Sequence, residues 1–355
     1  MVDPLVSICV PTYNRAPELR ESLKSICGQD YSPLDILISD NCSSDETEKV
    51  CREIAKADPR VRYVRQPRNI GLYGNHNFCI DESRGEFLCF FHDHDDRDLR
   101  IVSEYVAFML RHPEVGVVCS AWELIDEAGQ SLGVRDYPVK PITPGLEYIS
   151  QTMRSMQSSV GALGAMIRRS ALGEIKFDEK GRIGFGDFVV WFQIAERAAI
   201  GHISQRLFRW RQQRQSQSAR TIESMTDDYY ENLTRYCDGY LTRWPDHVEL
   251  VNHWRASIRR YLFWALAFEL GLHFRKESAL AAKRPDPPTL FEILDYRLTP
   301  EEFGRVRHKL KVFRTGLMQG VALFIIESLM QMKFTWPLAW ATYHHAFLRG
   351  LLGLR

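Results

Sequence analysis

Short apolar runs alternate with stretches of helical spacing over roughly the first third of the chain. Val6–Val10 is a β-branched run closed by Pro11, and Pro17–Gln29 follows with Leu19, Leu23 and Ile26 at three- and four-residue intervals. Leu34–Ser39 is the second run; it ends in Asp40-Asn41-Cys42-Ser43-Ser44-Asp45, and Thr47–Ala57 then carries Val50, Ile54 and Ala55 on one helical face. Val61–Val64 is a third strand, followed by Arg68-Asn69-Ile70-Gly71 and a helix through Asn77–Ser83. Glu86–Phe91 is the fourth run, Ile101–Arg111 a helix stopped by His112-Pro113, and Val115–Cys119 the fifth. Strand and helix in strict alternation predict an α/β fold with a doubly wound parallel sheet. Ligands of such sheets bind outside the carboxyl ends of the strands. Three of those ends carry polar clusters here: Thr12-Tyr13-Asn14-Arg15, Asp40-Asn41, and an acidic run after the fourth strand.

The acidic run is the most informative stretch. Glu86–Asp98 reads EFLCFFHDHDDRD, an apolar strand leading straight into Asp93, Asp95 and Asp96. Carboxylates crowded together repel unless a cation or solvent separates them. On an extended chain Asp93 and Asp95 project to one side about 6.5–7 Å apart, close enough to share a divalent cation, with His92 and His94 on the other side. A solvated acidic loop is the plainer alternative, with Asp98 capping the next helix. His92-x-His94-x-Asp96 also matches the start of a zinc metallo-hydrolase ligand set, although Arg97 stands where that pattern has a second-metal His.

Composition narrows the class. The chain has 355 residues, 45% hydrophobic and 26% charged, which suits one large or two medium globular domains. A net charge of +1 gives no electrostatic signature for nucleic acid. The eight cysteines are scattered without a CxxC pair, as expected of reduced thiols in a cytosolic compartment rather than disulfides or zinc. The opening MVDPLVSICVPTYN does not read as a signal peptide, and no window is long and apolar enough to span a membrane.

VSICVPTYNR, LISDNCSSDET, RNIGLYGNHN, GEFLCFFHDHDD and GFGDFVVWFQIAERA, in this order and spacing, resemble the inverting family-2 glycosyltransferases of GT-A fold. The resemblance covers about residues 5–220. It implies a Rossmann-like, mostly parallel sheet, with a glycosyltransferase domain over 1–220 and a helical region over 221–355. It implies that Pro11, Thr12, Tyr13 and Arg15 line the nucleotide pocket, with Asp40 and Asn41 near the base and Arg68 and Asn69 near the donor. Asp93-His94-Asp95 matches the family's Asp-x-Asp, which binds Mn2+ or Mg2+ through Asp93 and Asp95 and puts His94 beside metal or phosphate. Asp187 matches the acidic residue that serves as general base, and it opens an apolar helix, Phe188–Arg197, after the Gly-rich segment Gly181–Gly186. Many members carry Glu-Asp where this chain has Gly186-Asp187. Gln205 precedes Arg209-Trp210 by one residue too many for the processive Gln-x-x-Arg-Trp, which implies a non-processive enzyme adding one sugar. The implied donor is a UDP- or dTDP-sugar and the acceptor a glycan or lipid-linked hydroxyl, in polysaccharide, O-antigen or glycoconjugate synthesis. A sugar-nucleotide-binding protein without catalysis is the different-class alternative.

Asp126-Glu127-Ala128-Gly129 reads as a hairpin turn, Tyr137–Pro144 as a Pro-rich linker, and Ser155–Ala165 as a wall of the acceptor cleft. From about Thr221 the spacing is helical: Tyr229–Tyr240, Val251–Phe274, Phe291–Leu294 and Phe303–Phe334. From Phe303 onward eight Lys/Arg face one acid, Glu327, so positive charge is segregated there. Basic residues precede the apolar stretch Leu317–Met332, and Trp336, Trp340 and Tyr343 follow it. That is the pattern of a helix docked on an anionic membrane surface, at the inner face of a cell membrane, or of a bundle or homo-oligomer contact.

Overall fold

The computed structural model describes residues 2–135, 140–161, 164–180, 186–211 and 222–263. The chain divides into two compact units, Met1–Thr152 with Gln157–Gln213, and Met153–Met156 with Arg214–Arg355.

The first unit opens with β1 (Val6–Thr12), α1 (Ala16–Cys27), β2 (Leu34–Asp40), α2 (Thr47–Ala57), β3 (Val61–Arg65), α3 (Leu72–Glu82) and β4 (Phe87–Phe90). The two-residue β5 (Asp96–Arg97), α4 (Ile101–Arg111), β6 (Val115–Ile125), β7 (Ser131–Arg135), β8 (Ile142–Thr143) and α5 (Gly145–Ser155) follow. β9 (Met166–Arg168), α6 (Arg169–Leu172), α7 (Gly186–Ala195) and β10 (Ala199–Arg211) complete the unit. One sheet runs β3-β2-β1-β4-β9-β6-β10-β5, with β7 added to β6 and β8 to β10.

The four strands at the β3 end are parallel and in the register that matters for the site. Val6 pairs with Leu34 and with Phe87, and Thr12, the last residue of β1, pairs with Asp40, the last of β2. Strand positions alternate between the two faces of the sheet. Val6, Ile8, Val10, Ile36 and Ile38 therefore join Leu19, Leu23 and Ile26 of α1, Val50 of α2 and Val102 of α4 in one core cluster. Cys9 and Ser39 point the other way, toward α3, where Cys9 Sγ meets the Cys79 carbonyl and Ser39 Oγ donates to Asn75 Oδ1 at 2.6 Å. Buried on both faces, β1, β2 and β4 are the near-continuous hydrophobic runs that a buried parallel sheet requires.

Beyond β4 the sheet departs from simple alternation. The run at Val115 does not lie next to β4; the three-residue β9 intervenes, antiparallel to both β4 and β6. A strand of three residues leaves no periodicity to read. β6 continues well past Cys119, to Ile125, and turns into β7 through the hairpin expected at Asp126–Gly129, where Gly129 adopts φ +82° and its N–H bonds the Asp126 carbonyl at 3.0 Å. Part of the expected linker, Ile142–Thr143, is β8, paired with Ile200 and Gly201 of β10.

In the second unit α8 (Ile222–Arg243) is followed by a short 3-10 turn, Pro245–His247, and by α9 at residues 248–263. Leu233, Tyr236, Cys237 and Tyr240 are buried along α8, at the three- and four-residue spacing of one helical stripe. Tyr236 and Tyr240 meet Trp254 of α9, along which Val251 and Ile258 are also buried. Tyr240 anchors the pair: its ring packs edge-on to Trp254 at 4.9 Å, and its hydroxyl lies 2.8 Å from His247 Nδ1. The expected helices at Phe291–Leu294 and Phe303–Phe334, and with them the basic and aromatic C-terminal stretch, lie outside the described residues. Among the described residues no helix is long and apolar enough to cross a membrane.

Candidate active site

Past the last paired residues of β4, a buried side-chain hydrogen bond ties the chain to the carboxyl end of β1. Thr12 Oγ1, at the end of β1, donates to Asp93 Oδ2 at 2.7 Å, three residues beyond the end of β4. The extended geometry expected of residues 92–95 does not form, because the chain turns at residues 93–94. The turn stacks the His92 and His94 rings on each other, centroids 5.2 Å apart and planes 8° from parallel. It also separates the two acids. Asp93 takes Thr12 on one oxygen and His94 Nδ1 on the other, at 2.8 Å. Asp95 lies 3.1 Å from His92 Nδ1 through Oδ2 and accepts the backbone N–H of Arg211 at 2.9 Å through Oδ1.

Among the described residues, His92, His94 and Asp95 form a cluster able to coordinate a divalent metal, with one ligand atom from each lying within 4.8 Å of the others. Asp93, expected as a ligand beside Asp95, is outside that cluster. Both acids are held ionised. Burial alone would raise the Asp95 carboxyl, but the His92 hydrogen bond and the charges of His92, His94 and Arg97 outweigh it and hold it down to about 2. Asp93 is also lowered: burial opposes, while His94, Thr12 and the Arg15 charge prevail. Asp96, the third ligand of the metallo-hydrolase pattern, sits on β5 and bonds Arg211 at 3.1 Å, so that ligand set does not assemble.

Three residues that were not expected at the site hold this turn. Ser22 Oγ lies 3.1 Å from the His92 carbonyl and 3.0 Å from that of Asp95. Arg97 Nη1 donates to the same two carbonyls at 3.2 and 3.0 Å, while its guanidinium lies 4.3 Å over the Phe91 ring. Arg211, at the end of β10, bonds the His94 carbonyl, Asp96, and the hairpin carbonyls of Asp126 and Glu127. Faint signals existed in the sequence: Ser22 is a polar residue on the apolar stripe of α1, and Arg97 is a lone cation inside the acidic run. The contacts of Arg211 show only in the folded chain.

Of the remaining expected donor residues, Asp40, Asn41 and Asn69 come together at the end of β2. Asp40 is fully buried, accepting the Tyr63 hydroxyl at 2.9 Å and the Ser43 N–H at 2.8 Å. Asn41 staples the segment after β3: its Nδ2 donates to Asn69 Oδ1 at 3.0 Å and the Gly71 carbonyl at 3.1 Å, and its Oδ1 accepts the Ile70 N–H at 2.8 Å. Pro11 is half-buried, Tyr13 exposed, and Arg15 half-buried, with its N–H on Thr47 Oγ1. Arg68 is exposed. Asn41→Ala is expected to leave the Ile70 N–H and the Gly71 carbonyl without their Asn41 partner, costing about 1–3 kcal/mol and loosening the segment that carries Arg68 and Asn69. Urea unfolding measures the first effect, and faster amide hydrogen exchange at residues 69–71 the second.

Asp187 is the second residue of α7 and is half-buried. Burial pushes its carboxyl up to about 6, against the lowering effect of the backbone N–H groups of Phe188 and of Asp187 itself. The start of α7 needs glycine: a Cβ on Gly186 would lie 2.0 Å from the Tyr73 hydroxyl oxygen, at the start of α3. Tyr73 in turn stacks on Phe177 at 5.2 Å. Gly186 thus lets α7 approach α3 closely.

The Glycosyl transferase family 2 model matches residues 7–175, a span that includes the β1, β2 and β4 ends. A curated relative, GalNAc(5)-diNAcBac-PP-undecaprenol beta-1,3-glucosyltransferase of Campylobacter jejuni, is 40% identical over 94 residues, 26% of this chain and 30% of the relative. Glycosyltransferase GlyA of Streptococcus pneumoniae is 32% identical over 96 residues, 27% of this chain and 14% of the relative. The matched region thus spans under a third of the length of either relative. Among solved structures, Staphylococcus aureus TarS 1-349 in complex with UDP-GlcNAc superposes with a TM-score of 0.56 at 18% identity, covering 87% of this chain and 80% of that one, which shows a shared fold. Residues 7–175 therefore belong to glycosyltransferase family 2, and the mostly parallel sheet that carries them, with its C-terminal helical extension, is a GT-A-like fold.

Proposed function

We propose that the chain transfers one sugar from a nucleotide-diphosphate donor to an acceptor hydroxyl, with inversion at the anomeric carbon. The observation that carries the proposal is the juxtaposition of Thr12, Asp93 and the His92–His94–Asp95 cluster at the carboxyl edge of the sheet, inside the region matched by the family. Pro11, Thr12, Tyr13, Arg15, Asp40 and Asn41 would form the nucleotide side of the pocket, and Arg68 and Asn69 the donor side. The donor set of two imidazoles and a carboxylate fits a divalent cation, Mn2+ or Mg2+, which when bound supplies positive charge for the departing diphosphate.

Asp187 acts on the acceptor. As the acceptor oxygen bonds to the anomeric carbon, its proton passes to the Asp187 carboxylate. The bond from that carbon to the diphosphate breaks on the opposite face, and its electron pair leaves with the nucleoside diphosphate. A carboxyl raised to about 6 is a stronger base than an ordinary aspartate and is still ionised at neutral pH. A thermal-shift screen of nucleoside diphosphates, with and without Mn2+, tests the donor side: UDP or dTDP should raise Tm. NMR of the product from an α-linked UDP- or dTDP-sugar should show a β-linkage. Retention of configuration, or no nucleotide-dependent shift, would overturn the proposal.

The acceptor is proposed to be lipid-linked, met at the inner face of a cell membrane. The name of the Campylobacter relative carries PP-undecaprenol, and the last fifty or so residues of this chain segregate positive charge beside apolar and Trp-rich stretches. Co-sedimentation with liposomes checks this. Binding should require acidic lipid, weaken with salt, and vanish when residues after Thr299 are removed; equal recovery on neutral liposomes would count against it.

A further inference from the structure

Each imidazole beyond β4 has one nitrogen engaged by a carboxylate. His94 Nδ1 lies 2.8 Å from Asp93 Oδ1, and a carboxylate there accepts, so Nδ1 carries a proton and Nε2 is the nitrogen left to face a metal. Nε2 is 3.9 Å from Asp95 Oδ1, too long for a hydrogen bond. It is the separation expected of two donors to one first-row cation, which sit about 3 Å apart when adjacent and about 4 Å apart when opposed. His92 repeats the arrangement: Nδ1 is 3.1 Å from Asp95 Oδ2, which leaves its Nε2 as the donor. Asp93, by contrast, has Thr12 on one oxygen and His94 on the other.

A metal-ligating histidine characteristically donates its second ring N–H to a carboxylate that is itself hydrogen-bonded. Thr12, Asp93 and His94 form such a chain. The turn is also fixed from behind, because Ser22 and Arg97 bond the carbonyls of His92 and Asp95.

We propose that the cation of this chain is held by His92, His94 and Asp95, with Asp93 a positioning residue that sets the His94 tautomer, and that the site takes Mn2+, Co2+ or Zn2+ in preference to Mg2+. The assignment rests on the proposed function only for what the cation does, not for where it binds. Imidazole suits first-row transition metals, whereas Mg2+ favours an all-oxygen octahedron and releases its water reluctantly. The middle residue of the Asp-x-Asp thus becomes a ligand, and its first acid supports that ligand.

The test uses the full chain, stripped with chelator and titrated with MnCl2, with and without UDP, while free Mn2+ is followed by EPR. Pulsed EPR of the bound ion should show coupling to imidazole nitrogen, and about a tenfold excess of MgCl2 should displace little of it. His94→Gln should weaken Mn2+ binding by roughly 10–100-fold and remove part of the nitrogen coupling, and His92→Gln should do the same. Asp93→Asn should weaken binding by roughly tenfold and retain the coupling. Circular dichroism confirms that each variant is folded, and having two histidine variants guards against the loss of either. Bound Mn2+ without nitrogen coupling, absence of Mn2+ binding with and without UDP, or ready displacement by Mg2+ would overturn the assignment. So would a folded His94→Gln of unchanged affinity. Sugar transfer is assayed separately. Nitrogen-coupled Mn2+ in a chain that turns over no nucleotide sugar would sink the proposed function alone, whereas turnover with nitrogen-free Mn2+ would sink this assignment alone.

Discussion

Asp187→Asn is expected to lower kcat by on the order of 10²–10⁴ while donor affinity stays within about twofold, because the carboxylate proposed as the base would act on the acceptor and only as the new bond forms. The wild-type rate should fall about tenfold per unit as pH drops below about 6, where Asp187 protonates, and that acid limb should be missing from the variant's residual activity. Stability should move in the opposite direction. Burial raises the folded pKa from 3.8 to about 6, so ionising Asp187 in the folded protein carries a penalty that is absent below about pH 4 and grows as pH rises through about 6. Asparagine carries no such charge. Asp187→Asn should therefore raise neutral-pH stability by on the order of 1–2 kcal/mol, discounted because the residue is half-buried, and change little at pH 3. Urea unfolding at the two pH values, set beside kcat and donor affinity, checks the prediction. A collapse of donor affinity with kcat unchanged would make Asp187 a binding residue and place the base elsewhere.

Much of the first unit was legible because its strands are buried on both faces. Val6–Val10, Leu34–Ser39 and Glu86–Phe91 stand out as apolar runs, and each ends where a polar cluster marks the edge of the sheet. The antiparallel β9 was illegible because three residues, two of them buried, have neither length nor period. The His92–Asp95 turn failed for a different reason. Alternation along an extended chain is a local expectation, and here it yields to tertiary contacts from residues far away in sequence: Thr12 on Asp93, Ser22 and Arg97 on the carbonyls, Arg211 on Asp95. The acids announce a site, but which of the neighbouring side chains face one another is decided by partners that no local pattern encodes. Asp187 is singled out by its motif alone; its raised pKa comes from burial, which the sequence does not display.

At Asp95, Asn is the informative substitution and Ala is not. The carboxylate is buried, its Oδ1 accepts the Arg211 N–H, and its Oδ2 faces His92 with Arg97 Nη2 3.9 Å away. Arg97 has a side chain only 1% exposed, so Asp95→Ala leaves a buried cation without its nearest carboxylate and the Arg211 N–H without its acceptor. Losing one partner of a buried pair costs several kcal/mol when the contact is close. Here the contact is long and Arg97 keeps two carbonyls and the Phe91 ring, so about 1–3 kcal/mol is expected. An inactive Asp95→Ala would thus confuse lost structure with lost metal. Asp95→Asn keeps the volume and the amide oxygen that accepts Arg211 while removing the charge. It should lower the rate of sugar transfer by roughly 10²–10³-fold or more, the scale of losing one preorganised electrostatic group. Chelator should bring the wild-type chain down to a similar rate, and added Mn2+ should rescue the wild type but not the variant. Full activity of Asp95→Asn in chelator-treated buffer would remove the cation from the reaction and leave Asp95 as a structural tie between the β4 turn and β10.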